Sequence, residues 1–327
     1  MPELPGDTGF IHVVCPVCGS DDARVRWFAD FGTDGAHLDE FLRCTNTHYG
    51  RFGRIVRCRR CGMIYRDPQE EDPVSAYAAT ADEDYLAERP ARRATFARTL
   101  KQLHRFIQPP GELLDVGCST GFFLCGAREA GWHATGLEPS RWAVACARAE
   151  GLEVIEGTLD SHPFAPAQFD VVALWDVIEH VRDLPRTLQA AHELLRPGGV
   201  LALTTMDSHS LVARALGARW PHLMRMHLWY FGRRHMARLL ETAGFERPHI
   251  YPHVRVLSAD YLTSRLAFLS GTLARGAGAM VRALRLEQAM VPIQLGDLVA
   301  FYARKPAEAE RTEPASSPAA PAPADRS

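Results

Sequence analysis

The run Leu113-Leu114-Asp115-Val116-Gly117-Cys118-Ser119-Thr120-Gly121-Phe122-Phe123-Leu124 decides how this chain folds. It joins a short apolar segment to a glycine turn and then to a helix-like segment, with an acid just ahead of the first glycine. Glycines let the backbone approach a ligand with no Cβ in the way, and the following helix offers unpaired N–H groups at its positive end. A second acid, Glu138, ends the next apolar run, Ala134-Thr135-Gly136-Leu137. A carboxylate there can accept both hydrogen bonds of a ribose diol. The pattern is that of a nucleotide-type cofactor site.

Strand-like and helix-like segments alternate from this point. The strands are Leu113 to Val116, His133 to Leu137, Glu153 to Ile155, Phe169 to Trp175 and Val200 to Thr205. Such alternation predicts an α/β fold with parallel strands, right-handed crossovers and helices on both faces. Ligands in that architecture sit at the carboxyl ends of the strands, where the glycine turn, Glu138 and Trp175-Asp176 fall. Upstream, Phe96, Leu100, Leu103 and Ile107 space a helix over Arg89 to Ile107, stopped by Pro109-Pro110-Gly111. Downstream, Arg233 to Ala243 reads as a helix closed by Gly244 and followed by the strand-like Phe245 to Tyr251.

A nicotinamide fingerprint requires G-x-G-x-x-G, and Asp115-x-Gly117-x-Ser119-x-Gly121 fails it at the middle glycine. The run instead resembles motif I of the class I S-adenosylmethionine-dependent methyltransferases, with Ser119 standing for the usual small glycine. Phe169-Asp170-Val171-Val172-Ala173-Leu174-Trp175-Asp176-Val177-Ile178-Glu179-His180-Val181 resembles that family's fourth strand and substrate-side loop. Leu194-Leu195-Arg196-Pro197-Gly198-Gly199-Val200-Leu201-Ala202-Leu203-Thr204-Thr205 resembles the helix, turn and fifth strand that follow. The resemblance implies a Rossmann-like seven-stranded sheet with helices on both faces, its last strand, within Gln294 to Arg304, running antiparallel.

It also implies S-adenosyl-L-methionine as cofactor. Asp115 and the backbone around Gly117, Cys118, Ser119 and Gly121 would hold the methionine end, and Glu138 the ribose. Gly157 and Thr158 would line the adenine, while Trp175 and Asp176 would border cofactor and acceptor. A sulfonium methyl is already activated, so the protein has mainly to align an acceptor and exclude water. A hydroxyl or acidic carbon acceptor needs a base, and histidine titrates in the useful range. Of fourteen histidines, His180 and His227 are the best placed, each also readable as a structural histidine holding its loop by a hydrogen bond. His222 and Tyr230 are secondary candidates of the same kind.

Cys15-Pro16-Val17-Cys18-Gly19 and Cys58-Arg59-Arg60-Cys61-Gly62 are two knuckles of one design. Each C-x-x-C-Gly turn points two thiolates at a tetrahedral ion, which predicts a structural Zn2+ site at Cys15, Cys18, Cys58 and Cys61 with no open coordination position. The gap between the pairs is long for a zinc ribbon and places an inserted hairpin or loop over Trp27 to Phe52. Cys44 and His48 are substitute ligands should one knuckle cysteine be unused. Four thiolates carry about two net negative charges around the metal. Between Glu40 and Asp67 there is no acid, but Arg43, Arg51, Arg54, Arg57, Arg59, Arg60 and Arg66 are all present. Offsetting the thiolates, solvating a surface and contacting a phosphate-bearing acceptor are three open explanations. Cys118, Cys125 and Cys146 read as ordinary small core residues.

At 327 residues with 46% hydrophobic content, the chain holds one main domain plus additions. The expected division is a zinc-ribbon-like module over 1–68, a helical connector over 69–110, the methyltransferase domain over 111–305 and a disordered tail over 306–327. Within the domain, 257–290 reads as a helical cap insertion, because Leu262, Leu266, Leu269 and Leu273 recur at helical spacing among Arg265, Arg275, Arg282 and Arg285. A membrane-surface role for that basic amphipathic stretch stays open. The net charge of −2 excludes a global field toward nucleic acid, and without a signal-like start or membrane span the chain reads as cytoplasmic.

The leading functional expectation is a methyltransferase acting on a small-molecule biosynthetic acceptor, at oxygen or carbon rather than nitrogen. The alternatives are an RNA methyltransferase whose basic zinc module docks RNA, or an inactive S-adenosylmethionine-binding partner protein. Nucleic acid is the less favoured partner, because Trp175-Asp176-Val177-Ile178 stands where base methylation calls for Asn/Asp-Pro-Pro-Tyr/Phe.

Overall fold

The computed structural model describes residues 10–29, 42–43, 45 and 50–307. Cys44, His48 and residues 308–327 of the tail lie outside the described residues.

The amino-terminal part contains β1 (Phe10–Ile11), β2 (Ala23–Ala29), β3 (Gly53–Cys58), β4 (Ile64–Arg66) and β5 (Gln69–Glu70). Three helices follow: α1 (Pro73–Ala78), α2 (Glu83–Ala87) and α3 (Arg89–Leu103). Asp72 and Asp82 cap the first two, their carboxylates accepting from first-turn amides. Helix α3 stops at Leu103, one turn short of the spacing that runs on to Ile107.

The alternating region begins with β6 (Glu112–Val116), α4 (Phe122–Glu129), β7 (His133–Glu138), α5 (Arg141–Ala149) and β8 (Glu153–Glu156). It continues through β9 (Phe169–Trp175), α6 (Leu184–Leu194), β10 (Leu195–Met206), α7 (Leu211–Leu216), β11 (Trp229–Tyr230) and α8 (Arg233–Thr242). The last elements are β12 (His249–Pro252), β13 (Arg255–Ser258), α9 (Ala259–Arg265), α10 (Gly271–Ala283), β14 (Met290–Ile293) and β15 (Leu298–Arg304).

Seven strands form the central sheet in the order β12-β15-β10-β9-β6-β7-β8. Pairing is parallel from β10 through β8, and β15 is antiparallel to both its neighbours. The order reverses between β9 and β6, so a crevice opens at their carboxyl ends. Successive residues point to opposite faces, and both faces are covered. Leu113, Val171 and Ala173 pack with Phe123, Leu124 and Ala127 of α4, while Leu114, Val172 and Leu174 pack with Leu184, Leu188 and Ala191 of α6. Each fully buried leucine contributes about 2 kcal/mol relative to exposure.

Two features depart from the sequence reading. The leucine spacing of 257–290 resolves into two helices, because Ser270 accepts from the Leu273 amide and starts α10 anew. The β13–β14 pair closes their base, and Leu269 and Leu273 face outward. The second departure joins distant parts of the chain. Strand β11 completes the amino-terminal sheet, in the order β11-β4-β3-β2, through Tyr65↔Trp229 and Ile64↔Tyr230.

Candidate active site and four-cysteine cluster

The glycine turn follows β6 as its sequence requires. Gly117 (φ 67°), Ser119 (φ 49°) and Gly121 (φ 82°) all adopt left-handed backbone, so the turn reverses within five residues. A Cβ at Gly117 would lie 2.5 Å from Val177 Cγ2, which shows how tightly the loop after β9 packs on the turn. Ser119 pays the left-handed cost that glycine avoids, about 1–2 kcal/mol. Gly121 is the N-cap of α4 and supplies no capping side chain, so the first amides of that helix remain available to an anionic ligand group. The Cys118 side chain points away, into the sheet beside Gly136, leaving only its backbone at the turn.

Glu138, at the end of β7, is fully buried. Its two oxygens accept from the backbone amides of Ser119 and Ser140, at 2.8 Å each, and the Tyr77 side chain of α1 also bonds to it. Burial pushes its carboxyl up to about 7, although those hydrogen bonds oppose the rise. Asp115, on β6, is buried with Oδ1 lacking a partner among the described residues. Burial and the nearby Glu138 raise its carboxyl well above the usual range. Gly157 lies beside them, its amide donating to the Glu138 carbonyl, and Thr158 bridges to Ser161. Trp175, at the end of β9, stands edge-on to Phe123 and keeps Nε1 buried without a partner among the described residues.

These features fit an adenosyl cofactor. The carboxylate, the glycine turn, the open helix terminus and two unpartnered buried polar atoms converge at the carboxyl ends of β6, β7 and β9.

Asp176, just beyond the end of β9, is held at φ 57°. Thr204 Oγ1 accepts from its amide at 3.0 Å and donates to Oδ1 at 2.9 Å, while Arg255 of β13 pairs with Oδ2. Desolvation works against ionisation, but the Arg255 guanidinium and His253 hold the carboxyl well below the usual range. The structure brings His180 and His227 together, ring centroids 4.8 Å apart. His180 Nδ1 donates to the Met226 carbonyl at 3.0 Å, and His227 Nδ1 to the His222 carbonyl at 2.7 Å. Burial lowers both imidazoles, so both are neutral near pH 7. His222 is likewise pushed down to about 4 by burial, and the Tyr230 hydroxyl donates to the Met224 carbonyl. Sequence reasoning missed Tyr77, Thr204, Thr205, Arg255 and the carboxylate of Glu179; only Glu179 carried a local signal, through its pairing with His180.

The four knuckle cysteines converge as read. Cys15 Sγ lies 3.4 Å from Cys61 Sγ and Cys18 Sγ 3.6 Å from Cys58 Sγ, so each knuckle contributes to both pairs. Four sulfurs around a tetrahedral zinc lie about 3.8 Å apart. The Gly19 and Gly62 amides close the knuckles onto the Cys15 and Cys58 carbonyls. His235 Nε2 bonds to the Cys61 carbonyl, tying the second knuckle to α8. Part of the basic run is answered within the protein. Arg66 is fully buried against Glu70 and the Arg225 carbonyl, Arg54 pairs with Asp67 at 2.9 Å, and Arg59 reaches Asp22 at 3.5 Å.

The malonyl-[acyl-carrier protein] O-methyltransferase of Serratia marcescens is 35% identical over 114 residues, covering 34% of this chain and 44% of that protein. The ubiquinone biosynthesis O-methyltransferase of Pseudomonas aeruginosa is 32% identical over 103 residues, 29% of this chain and 44% of that protein. The chain thus spans less than half the length of these curated relatives. Among solved structures, a possible histamine N-methyltransferase from Thermotoga maritima aligns over 68% of this chain and 93% of its own, at 20% identity and a TM-score of 0.48. The profile of the methyltransferase domain matches residues 86–249, half of the sequence. By that match, on a sheet whose strand order and glycine turn carry the cofactor crevice, the chain belongs to the S-adenosylmethionine-dependent methyltransferases.

Proposed function

We propose that this enzyme methylates a small-molecule biosynthetic acceptor, at oxygen in preference to carbon or nitrogen. The observation that carries the reading is the convergence of buried Glu138 and the glycine turn on one crevice, with the His180–His227 pair across the loop that Val177 anchors to that turn. Both curated relatives named above are O-methyltransferases, which supports oxygen as the acceptor atom. The cofactor supplies an activated methyl on its sulfonium. The chain's own residues do the rest. Glu138 orients a ribose diol, the backbone of Gly117, Cys118, Ser119 and Gly121 with Asp115 holds an amino-acid end, and Gly157 and Thr158 border the base. Trp175 and Phe123 exclude water, and Asp176, fixed by Thr204 and Arg255, shapes the acceptor side. His180 and His227 present neutral Nε2 lone pairs there, although burial leaves each a weak proton acceptor by itself.

We assign Cys15, Cys18, Cys58 and Cys61 to one structural Zn2+, because four thiolate ligands leave no position for substrate. The organisation that follows is a zinc module over 1–68, a connector over 69–110 that covers the cofactor crevice, and the methyltransferase domain over 111–305 with its cap at 257–290. Among the described residues no helix is long and apolar enough to cross a membrane. The described cysteines are unpaired, which fits a reducing compartment and supports a cytoplasmic enzyme. Internal pairing of Arg54, Arg59 and Arg66 favours a small acceptor over RNA. The test is binding of S-adenosylhomocysteine by thermal shift, followed by methyl labelling of cell extract. Label in small molecules supports the proposal, and label in RNA overturns it.

A further inference from the structure

Glu179, His180 and His227 form a second cluster, separate from the cysteines. One ligand atom from each lies within 4.8 Å of the other two. We propose that these three residues bind a divalent cation on the acceptor side of the crevice, and that the acceptor is a hydroxyl compound, best one with a neighbouring oxygen that can chelate.

The tautomers carry the first step of the argument. A carbonyl can only accept, so the bonds from His180 Nδ1 to Met226 and from His227 Nδ1 to His222 put the proton of each ring on Nδ1. Both Nε2 atoms therefore carry lone pairs. Metal-binding histidines characteristically donate their other nitrogen to a carbonyl or carboxylate, which fixes ring orientation. The carboxylate is held in the same manner, with Thr205 Oγ1 donating to Glu179 Oε2 at 3.1 Å. All three residues are oriented by a hydrogen bond that leaves a ligand atom free.

The donor set supplies the second step, with Glu179 buried at 1% exposure beside the two imidazoles. Two imidazoles and a carboxylate suit zinc, iron, cobalt or manganese, and three protein ligands leave open positions for an acceptor oxygen.

Position supplies the third. Glu179 and Asp176 share one loop, and their partners Thr205 and Thr204 are adjacent on β10. The same loop touches the glycine turn through Val177. A cation here lies beside the methyl-donor crevice, where it would lower the pKa of a bound hydroxyl. The oxygen gives its proton to solvent and bonds to the methyl carbon as the carbon–sulfur bond breaks, its electron pair remaining on sulfur. The substrate class rests on the methyl-transfer reading, whereas the cation site stands apart from it.

The experiment uses the full chain with its cysteine site first saturated with zinc and loosely held metal then removed by EDTA. Titration with Co2+ should give weak visible d–d bands with no sulfur-to-metal charge transfer, at one equivalent. Glu179→Gln and the His180→Ala/His227→Ala pair should abolish them, and Thr205→Val should weaken Co2+ binding about tenfold. Each variant is checked for S-adenosylhomocysteine binding, which reports folding and tests the cofactor crevice separately. No uptake by wild-type protein, or undiminished uptake by a variant that still binds the nucleoside, overturns the proposal. Loss of nucleoside binding with Co2+ uptake intact would instead count against the methyl-transfer reading alone.

Discussion

Glu138 gives cofactor binding a pH dependence whose size follows from the structure. Its carboxyl is raised to about 7 by burial, and it must be ionised to accept both hydroxyls of a ribose. One pH unit above that value about nine-tenths of the protein carries the carboxylate, and one unit below about one-tenth. S-adenosylhomocysteine should therefore bind about tenfold more weakly at pH 6 than at pH 8, a difference of about 1.4 kcal/mol. Stability of the ligand-free protein runs the other way. A carboxyl raised in the fold takes up its proton more readily folded than unfolded. Its contribution to stability is complete below the unfolded value of 4.5 and is lost as pH rises through 7, in total about 3 kcal/mol. The perturbation is Glu138→Gln, read by isothermal titration at pH 6, 7 and 8. The variant should bind about ten- to a hundredfold more weakly at pH 8, having lost a charged acceptor, and its affinity should no longer vary with pH. A flat profile in the wild-type protein, or an unchanged slope in Glu138→Gln, would refute the assignment of this carboxylate to the ribose.

Three further outcomes are expected. Gly117→Ala should cost at least about 2 kcal/mol in urea unfolding and abolish the nucleoside-induced thermal shift, since the methyl meets Val177 on left-handed backbone; an unchanged urea midpoint would contradict this. Metal analysis should find one tightly held zinc, and Cys15→Ser/Cys18→Ser should remove it and lower Tm by on the order of 10 °C. Zinc retained in that double variant would disprove the ligand set. Arg255→Met should destabilise the protein by about 1–3 kcal/mol at pH 7, the value being reduced because both partners are about a third exposed. Equal urea midpoints for variant and wild type would show that the Asp176 pair contributes nothing.

The sheet was legible because its signals are local. Leu113 to Val116, His133 to Leu137 and Phe169 to Trp175 are short apolar runs bounded by turns, and each appears as a strand within one residue of its reading. The turn residues were legible for the same reason, since Gly117 and Gly121 do locally what their φ angles require. Long-range partners were not. Arg255 meets Asp176 across 79 residues, and nothing near either position announces the other. Tyr77 lies in the connector, and its approach to Glu138 depends on how α1 docks. The continuous leucine spacing of the cap concealed a helix start at Ser270, because a periodic pattern does not record where a serine turns back to cap an amide.

The β4–β11 pairing bears on how the protein can be handled. The profile-matched segment, 86–249, begins after β2, β3 and β4, the strands of the sheet that Trp229 and Tyr230 complete. Expressing that segment alone would leave β11 as an orphan strand. Trp229, Phe231 and Leu228, now packed against Tyr65, Met63 and Val56, would then face water. The loop that precedes β11, which carries His222 and His227, would lose its anchor at the same stroke. A fragment chosen from sequence similarity is thus expected to precipitate, and any transplant of the loop bearing His222 and His227 into another scaffold has to carry the distant cysteine-bearing hairpin with it.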